Sequence, residues 1–228
     1  MKVLYVIPYP QFFSQHNGVG GHIAHCIGIL QAMKEKGFEI KFFSEESDEI
    51  IEEVVDSLSV YPKKHQGCLS RFTWLKYFFK DLERQINIFN PDIIYMRYSA
   101  SVAVLYPLLK RALGGRKIIL EVNSLGSQHK RILKIFDKKM LSLATTVVCV
   151  SNLLKDYISQ QLNIIPIVVP NGIDKDRIPY KLVKDREDRK ERKVKIVYAG
   201  LLKPEYGLEF SIDSLEALKE KYNITYTL

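Results

Sequence analysis

A glycine-rich loop near the amino terminus is the first stretch whose residue types point to chemistry. Residues 17–24 read NGVGGHIA, and Gly20 and Gly21 stand directly before the apolar periodicity of a helix. Backbone N–H groups and the positive end of the helix dipole favour phosphate at such a position, and glycine allows close approach. A turn that only begins the helix fits equally well, so the loop indicates either an anion site or a helix start.

Two common phosphate-binding patterns do not fit this loop. A dinucleotide fingerprint counted from Gly18 and Gly20 requires glycine at the position of Ile23, and a P-loop requires a Gly-Lys-Ser/Thr run that does not follow. The preceding strand also ends near Ile7, too early for the tight dinucleotide turn. A phosphate here would be held by the backbone of a different kind of loop.

Polar side chains follow two of the predicted strands. Arg97 lies near the end of DIIYMRY (92–98), and Asn123 comes directly after KIILEV (117–122). Asparagine hydrogen-bonds a hydroxyl group but is neither acid nor base near neutral pH. Asn123 is a candidate ligand contact or an ordinary turn residue, and Arg97 is a candidate acceptor contact or half of a salt bridge.

Histidines and cysteines do not predict a metal site. His16, His22 and His25 cluster around the glycine loop, but no Asp or Cys is spaced to complete a metal-binding set with them. The three cysteines are widely separated, which is typical of buried thiols in a reducing compartment.

Apolar, β-branched runs alternate with helix-length segments along the chain. Predicted strands cover 2–8, 38–44, 92–98, 117–122, 146–151 and 165–170, and predicted helices cover 21–36, 72–89, 101–113, 127–142 and 152–161. Residues 45–70 show no period that assigns them. The alternation predicts an α/β fold with a Rossmann-like parallel sheet and helices on both faces. Ligands of such sheets bind at the carboxyl ends of the strands, so the loops after Ile7, Tyr98, Val122, Val150 and Val169 are expected to carry function.

A second series follows a charged segment, in which residues 181–195 carry eight Lys or Arg against four Asp or Glu. It contains a predicted strand at 193–200, a helix at 207–222 and a strand at 223–228. We predict a first domain over 1–178, a linker over 179–192 and the start of a second Rossmann-like domain over 193–228. Two parallel strands do not form a stable sheet alone, so this piece is expected either to pack as an appendage on the first domain or to be an incomplete second domain.

Composition limits the class of protein. With 46% hydrophobic and 26% charged residues in 228, the chain can build a core. No apolar run approaches the roughly 20 residues of a membrane-spanning helix, and the first residues lack a signal-peptide cleavage site, so we expect a cytoplasmic protein. The net charge of +8 favours anionic partners. No nucleic-acid recognition motif is present, and no nucleic acid partner is expected.

One predicted helix combines aromatic and basic residues. Trp74, Phe78 and Phe79 stand beside Lys76 and Lys80 within residues 71–89. This pattern fits a face that docks peripherally on the inner leaflet of a membrane. It also fits a core stripe whose flanking lysines reach into solvent.

Four segments, in order, resemble retaining glycosyltransferases of family 4, which have the GT-B fold. The segments are GGHIAHCIGILQAMKEKGFEI (20–40), ATTVVCVSNLLKDYI (144–158), VVPNGID (168–174) and IVYAGLLKPEYGLEFSIDSL (196–215). They look like the family's glycine–glycine helix, the end of its first domain, the hinge, and the first strand, phosphate loop and helix of its second domain.

The resemblance implies transfer of a sugar from a nucleotide-diphosphate sugar to a glycan or lipid-linked acceptor. It implies that Gly20 and Gly21 contact the donor diphosphate and that Asn123 lies where the family often has a His near the reacting sugar. Arg97 remains a candidate for the acceptor. No cofactor and no tightly bound metal are expected, because the nucleotide sugar is a substrate and fixed donors stabilise the leaving diphosphate.

The chain departs from the family at the donor site. The positions of two phosphate-loop cations hold Leu201 and Tyr206, which leaves Lys203 as the candidate phosphate-loop residue. The chain also ends before the family's pair of glutamates, so no catalytic residue is assigned and the fragment is expected to be inactive or very weak. The alternative is a non-catalytic half-transferase that binds acceptor or membrane and partners a separate catalytic chain.

Overall fold

The computed structural model describes residues 1–9, 12, 21–45, 49–60, 70–172 and 207–222. Its contacts divide the chain into two units, Met1–Ile178 and Pro179–Leu228. In the second unit the described element is a helix, α9 (Leu208–Tyr222), at the predicted place. Gly20, Lys203, the linker and the other predicted elements of the second series lie outside the described residues. The domain boundaries stay a prediction.

The first unit contains a parallel sheet, as the sequence predicts. Within the described residues the sheet has seven strands, where the sequence predicted six. Its strands are β1 (Lys2–Val6), β2 (Glu39–Ser44), β3 (Ser57–Val60), β4 (Ile93–Arg97), β5 (Ile118–Val122), β6 (Thr146–Cys149) and β7 (Ile167–Val168). They pair in the order β3-β2-β1-β4-β5-β6-β7. The α-helices are α1 (Gly21–Glu35), α2 (Glu49–Val54), α3 (Ser70–Phe89), α4 (Ala100–Val104), α5 (Tyr106–Leu113), α6 (Gly126–His129), α7 (Lys134–Leu141) and α8 (Asn152–Leu162), with a 3-10 turn at Arg131–Leu133.

Helices cover both faces of the sheet because alternate strand residues point to opposite sides. On one face, Tyr5 stacks between Phe42 and Tyr95, with ring centroids 5.7 and 4.9 Å away, beneath α1 and α2. On the other face, Leu4 and Val6 pack in a larger core with α3, α4, α5, α7 and α8.

The aromatic stripe of α3 belongs to this larger core. Trp74, Phe78 and Phe79 are 5%, 0% and 5% exposed, while Lys76 and Lys80 are exposed. Of the two interpretations of this helix, the structure supports the core stripe and overturns the aromatic docking face.

Three predicted elements differ from the structure. The helix predicted at 101–113 breaks at Leu105, because Pro107 has no N–H to donate one turn back. The helix predicted at 127–142 becomes α6, the 3-10 turn and α7, with Lys130 extended between them. The strand predicted at 165–170 shortens to β7, because it lies between two prolines that cannot donate hydrogen bonds.

The unassigned stretch at 45–70 contains α2 and β3. Both are short, with six and four residues, so neither shows a readable period.

Local capping fixes where α1 ends. Gly37 has φ +74° and its N–H donates to Lys34 at 2.8 Å, while the N–H of Phe38 donates to Met33 at 3.1 Å. This pair of bonds is a Schellman motif, and it requires the left-handed conformation that glycine adopts freely. The motif leads directly into β2.

Candidate functional site

The strand order places a topological switch point between β1 and β4. Crevices at the carboxyl ends of such strands are where ligands bind in open α/β sheets. Helix α1 begins there, because it follows β1. Its amino end is joined to β4 by the Nη1 of Arg97, which donates to the carbonyl oxygen of His22 at 3.2 Å.

Four polar side chains from three elements meet below this point, and we call them the Glu121 cluster: Glu121, Arg97, His25 and Tyr95. Oε1 of Glu121 lies 3.3 Å from Nε of Arg97 and 3.2 Å from Nε2 of His25, at ion-pair distance but without hydrogen-bond alignment. The hydroxyl of Tyr95 donates to Oε2 at 2.8 Å. Glu121 is 1% exposed and Arg97 is 4% exposed, so the charges compensate each other inside the protein.

The cluster keeps its carboxylate ionised. Burial raises the pKa of Glu121, but His25, Arg97 and Tyr95 outweigh that effect, and the pKa lies below its ordinary value. Burial lowers the pKa of Arg97, yet Glu121 outweighs it and the pKa is raised. Burial, followed by the charge of Glu121, raises the pKa of Tyr95, so its hydroxyl remains a donor.

Arg97 also contacts Phe12, which precedes α1. Its guanidinium carbon lies 5.3 Å from the ring centroid of Phe12. Nε2 of His22 donates to the carbonyl oxygen of Phe12 at 3.0 Å. The predicted acceptor contact of Arg97 stays a prediction, and the buried side chain forms a salt bridge at the strand end.

Gly21 is the first residue of α1 and is exposed. A Cβ built on it meets nothing within 4 Å, and its φ lies outside the region that favours glycine. Packing of the described residues therefore does not require glycine here. The predicted contact with diphosphate stays a prediction for Gly21 and for Gly20.

Asn123 lies on the exposed side of the Glu121 cluster, one residue past β5. Its Nδ2 donates to Oε1 of Glu121 at 3.1 Å, and the residue is exposed. The structure thus brings Asn123 and Arg97 together through one carboxylate. The predicted sugar contact is not tested by this geometry.

A second buried carboxylate shapes the loop after β5, and we call it the Asp137 cluster: Asp137, Tyr98, Gly126, Ser127 and Tyr157. Asp137 accepts from the hydroxyl of Tyr98 and from the N–H of Ser127, the latter at 2.8 Å. The N–H of Gly126 donates to the Tyr98 oxygen at 3.1 Å, and Tyr157 donates to Oγ of Ser127 at 3.1 Å. These bonds fix the start of α6 beside Asn123.

The profile of one protein family, described as "Glycosyltransferase Family 4", matches residues 19–177, which is more than half of the chain. The chain belongs to glycosyltransferase family 4. A comparison with curated protein sequences found no significant match.

Solved structures share the fold at low sequence identity. A sucrose-phosphate synthase from Thermosynechococcus elongatus has a TM-score of 0.58 and 13% identity, covering 77% of this chain and 49% of that protein. A glycosyltransferase from Rickettsia africae has a TM-score of 0.52 and 17% identity, covering 100% and 50%. HepE from Anabaena, in complex with UDP-glucose, has a TM-score of 0.52 and 14% identity, covering 77% and 45%.

These likenesses place the first unit among the Rossmann-like domains of GT-B enzymes and say nothing further about this family 4 chain. The chain spans about half the length of these three structures.

Sequence reasoning located the strand ends of this family 4 domain but missed the centre of the cluster. Glu121 interrupts the apolar strand run KIILEV, and a carboxylate at an otherwise buried strand position is a recognisable anomaly. Asp137 carried no such signal, because it lies in the basic segment DKK.

The described residues also bear on metal binding, membrane spanning and thiol reactivity. No group of three or more His, Cys, Asp or Glu is arranged to hold a metal within that part of the chain. None of its helices is long and apolar enough to cross a membrane. Cys26 and Cys149 are free and buried, and burial raises the pKa of the Cys26 thiol to about 12.

Proposed function

We propose that this chain provides the acceptor-side domain of a retaining glycosyltransferase. The enzyme would move a sugar from a nucleotide-diphosphate sugar to a glycan or lipid-linked acceptor in the cytoplasm, without a metal or other cofactor. The observation that carries the proposal is the start of α1 at the strand switch point. There, Gly21 stands exposed near the Glu121 cluster, and no described residue lies within 4 Å of a Cβ added to it.

The chemistry follows from the groups available. The first N–H groups of α1 have no partner within the helix and lie at the positive end of its dipole. They therefore suit the negative charge that develops on a leaving diphosphate. Lys203 is the proposed additional phosphate contact. Asn123 contributes a neutral polar group next to the sugar.

The test measures binding of UDP-glucose, the nucleotide sugar bound by HepE, and of inorganic pyrophosphate to the 228-residue chain. Gly21→Asp should weaken both ligands by roughly tenfold or more, because the added carboxylate repels the diphosphate at close range. Gly28→Asp is the matched control. Gly28 lies in the same helix, is exposed and likewise has nothing within 4 Å of an added Cβ.

The substitution at Gly21 is not expected to unfold α1. An acidic side chain in the first turn interacts favourably with the helix dipole. Equal loss in both variants, or no binding by the unsubstituted chain, would contradict the proposal.

The half-transferase alternative is favoured by one surface. The segment 130–139 carries five cations, Lys130, Arg131, Lys134, Lys138 and Lys139, around two exposed isoleucines. Ile132 and Ile135 are 79% and 57% exposed, and the acidic residue of the segment, Asp137, is fully buried. Apolar tips flanked by lysines suit peripheral contact with an anionic inner leaflet.

Sedimentation with lipid vesicles distinguishes this alternative from the proposed glycosyltransferase domain. A half-transferase should bind phosphatidylglycerol vesicles and show no affinity for UDP-glucose. The double variant Ile132→Ser, Ile135→Ser should lose the vesicle binding. If instead the chain binds UDP-glucose in a way that depends on Gly21 and does not bind vesicles, the first proposal is favoured.

A further inference from the structure

We infer that Glu121 is a positioning residue that fixes the amide of Asn123, so that Asn123 presents its carbonyl oxygen to a sugar hydroxyl. The identity of the ligand rests on the proposed function. The orientation of the amide rests on contacts within the chain alone.

The orientation follows from the contact between the two side chains. Nδ2 of Asn123 donates to Oε1 of Glu121 at 3.1 Å. A flipped amide would place its oxygen against a carboxylate that can only accept, which removes a hydrogen bond and adds repulsion. The nitrogen therefore faces the protein, and the oxygen carries no hydrogen bond to a described residue.

The carboxylate that sets this orientation is itself fixed from three directions. Arg97 comes from β4, His25 from α1, and Tyr95 holds the second oxygen from β4. With the side chain 1% exposed, Glu121 has no room to turn away from Asn123. An exposed amide is thereby attached to a rigid buried support.

The exposed oxygen selects the class of group that it can contact. A carbonyl oxygen accepts hydrogen bonds, so it suits a hydroxyl of a sugar ring and not a phosphate, which offers acceptors at neutral pH. The phosphate and sugar contacts are thus separated, with anion-binding N–H groups at the start of α1 and a hydroxyl acceptor after β5.

The first experiment tests the orientation by NMR of the 15N-labelled chain. The side-chain NH2 signals of Asn123 are assigned by their loss in Asn123→Ala. In Glu121→Gln they should shift, because a charge-assisted hydrogen bond becomes a neutral one or is lost. Leu109→Ala, which opens the core at a fully buried position in α5, should leave them unchanged. Unchanged signals in Glu121→Gln would overturn the inference.

A second variant covers the case in which Glu121→Gln does not fold. Asn123→Asp places a carboxyl beside Glu121, and the introduced group should titrate about one unit or more above its usual pKa. Carbon-13 NMR measures this titration. An ordinary pKa for the introduced carboxyl would show that the two side chains are not in contact and would also overturn the inference.

The second experiment tests the sugar contact with a double-mutant cycle. Asn123→Ala should weaken UDP-glucose by about fivefold, the value of one neutral hydrogen bond, and leave UDP unaffected. Glu121→Gln should weaken UDP-glucose in the unsubstituted chain but have no further effect when Asn123 is already Ala.

Each outcome of the cycle is decisive. If the losses of UDP-glucose binding free energy in the two single variants add up in the double variant, Glu121 does not act through Asn123. If Asn123→Ala weakens UDP binding as much as UDP-glucose binding, Asn123 does not contact the sugar. If the chain binds neither ligand, the proposed function fails for this donor, while the NMR experiment still decides the orientation of Asn123.

Discussion

Two buried carboxylates lie near the carboxyl ends of the parallel strands, on opposite faces of the sheet. Their hydrogen-bond and ion-pair partners differ in kind. Glu121 faces two basic side chains, Arg97 and His25, and contacts an exposed amide. Asp137 receives hydrogen bonds from neutral donors, the hydroxyl of Tyr98 and a backbone N–H, and is fully buried. Glu121 thus has an arginine beside it in addition to the neutral donor Tyr95, whereas the donors to Asp137 are neutral.

The two carboxylates therefore have different structural roles at the same end of the sheet. A carboxylate bonded to backbone N–H groups fixes the path of the chain, as Asp137 does for the start of α6. A carboxylate balanced by an arginine stays ionised and can orient a neighbouring polar group. Substitutions in the two clusters should therefore differ in the size of their effect on stability.

The largest effect is expected for Arg97→Met. The substitution leaves Glu121 buried without its arginine, and breaking a buried pair in this way costs about 3–5 kcal/mol. Urea unfolding followed by the fluorescence of Trp74, the single tryptophan, measures the change within the first unit.

The pH dependence gives this prediction a sign. The pKa of Glu121 is lowered from 4.5, so its stabilising effect is present above that value and is lost as the pH falls through the folded-state pKa. The deficit of Arg97→Met should therefore be greatest near neutral pH and shrink as the pH falls below 4.5. A deficit that is constant with pH would mean that Glu121 does not carry the penalty.

An intermediate effect is expected for the two tyrosines that donate to the carboxylates. Tyr98→Phe removes the donor to Asp137 and also the acceptor for Gly126, which should cost about 2–3 kcal/mol. Tyr95→Phe removes one donor from Glu121, which keeps Arg97 and His25, and should cost about 1 kcal/mol.

The same urea experiment, with both variants at one pH, measures this difference. The reverse order would show that the neutral cluster contributes less to stability than the charged one. That result would contradict the assignment of the Asp137 cluster as the support of the loop.

The sequence predicted the sheet better than the site, for a physical reason. Buried strands need continuous β-branched runs, and these are visible locally in β1, β4 and β5. The partners in the clusters are distant in the chain, as with His25 and Glu121 or Tyr98 and Asp137. Arg97 and Asn123 were found because a strand end can be read from sequence. Their shared partner could not be, because it depends on which strands become neighbours.

The smallest effect is expected at Gly21, near the Glu121 cluster, and Gly126 in the Asp137 cluster is the glycine to compare it with. A Cβ on Gly126 would lie 2.9 Å from Cδ1 of Leu133, 3.2 Å from Cβ of Ala100 and 3.3 Å from Oδ1 of Asp137. Gly126→Ala should therefore cost about 1–2 kcal/mol, since the leucine tip can move but the other two atoms are fixed. Gly21→Ala meets no neighbour and should change stability by less than about 0.5 kcal/mol.

Comparing Gly21 with Gly126 distinguishes a glycine that serves a ligand from one that the fold requires. If glycine at 21 serves a ligand, Gly21→Ala should weaken pyrophosphate binding at unchanged urea midpoint, because the added methyl group occupies the space that a phosphate oxygen would approach. Gly126→Ala should instead lower the urea midpoint, because its added methyl group overpacks the surrounding residues. A stability loss at Gly21 as large as that at Gly126 would mean that its glycine is required by the fold, and the anion site would lose its main structural support.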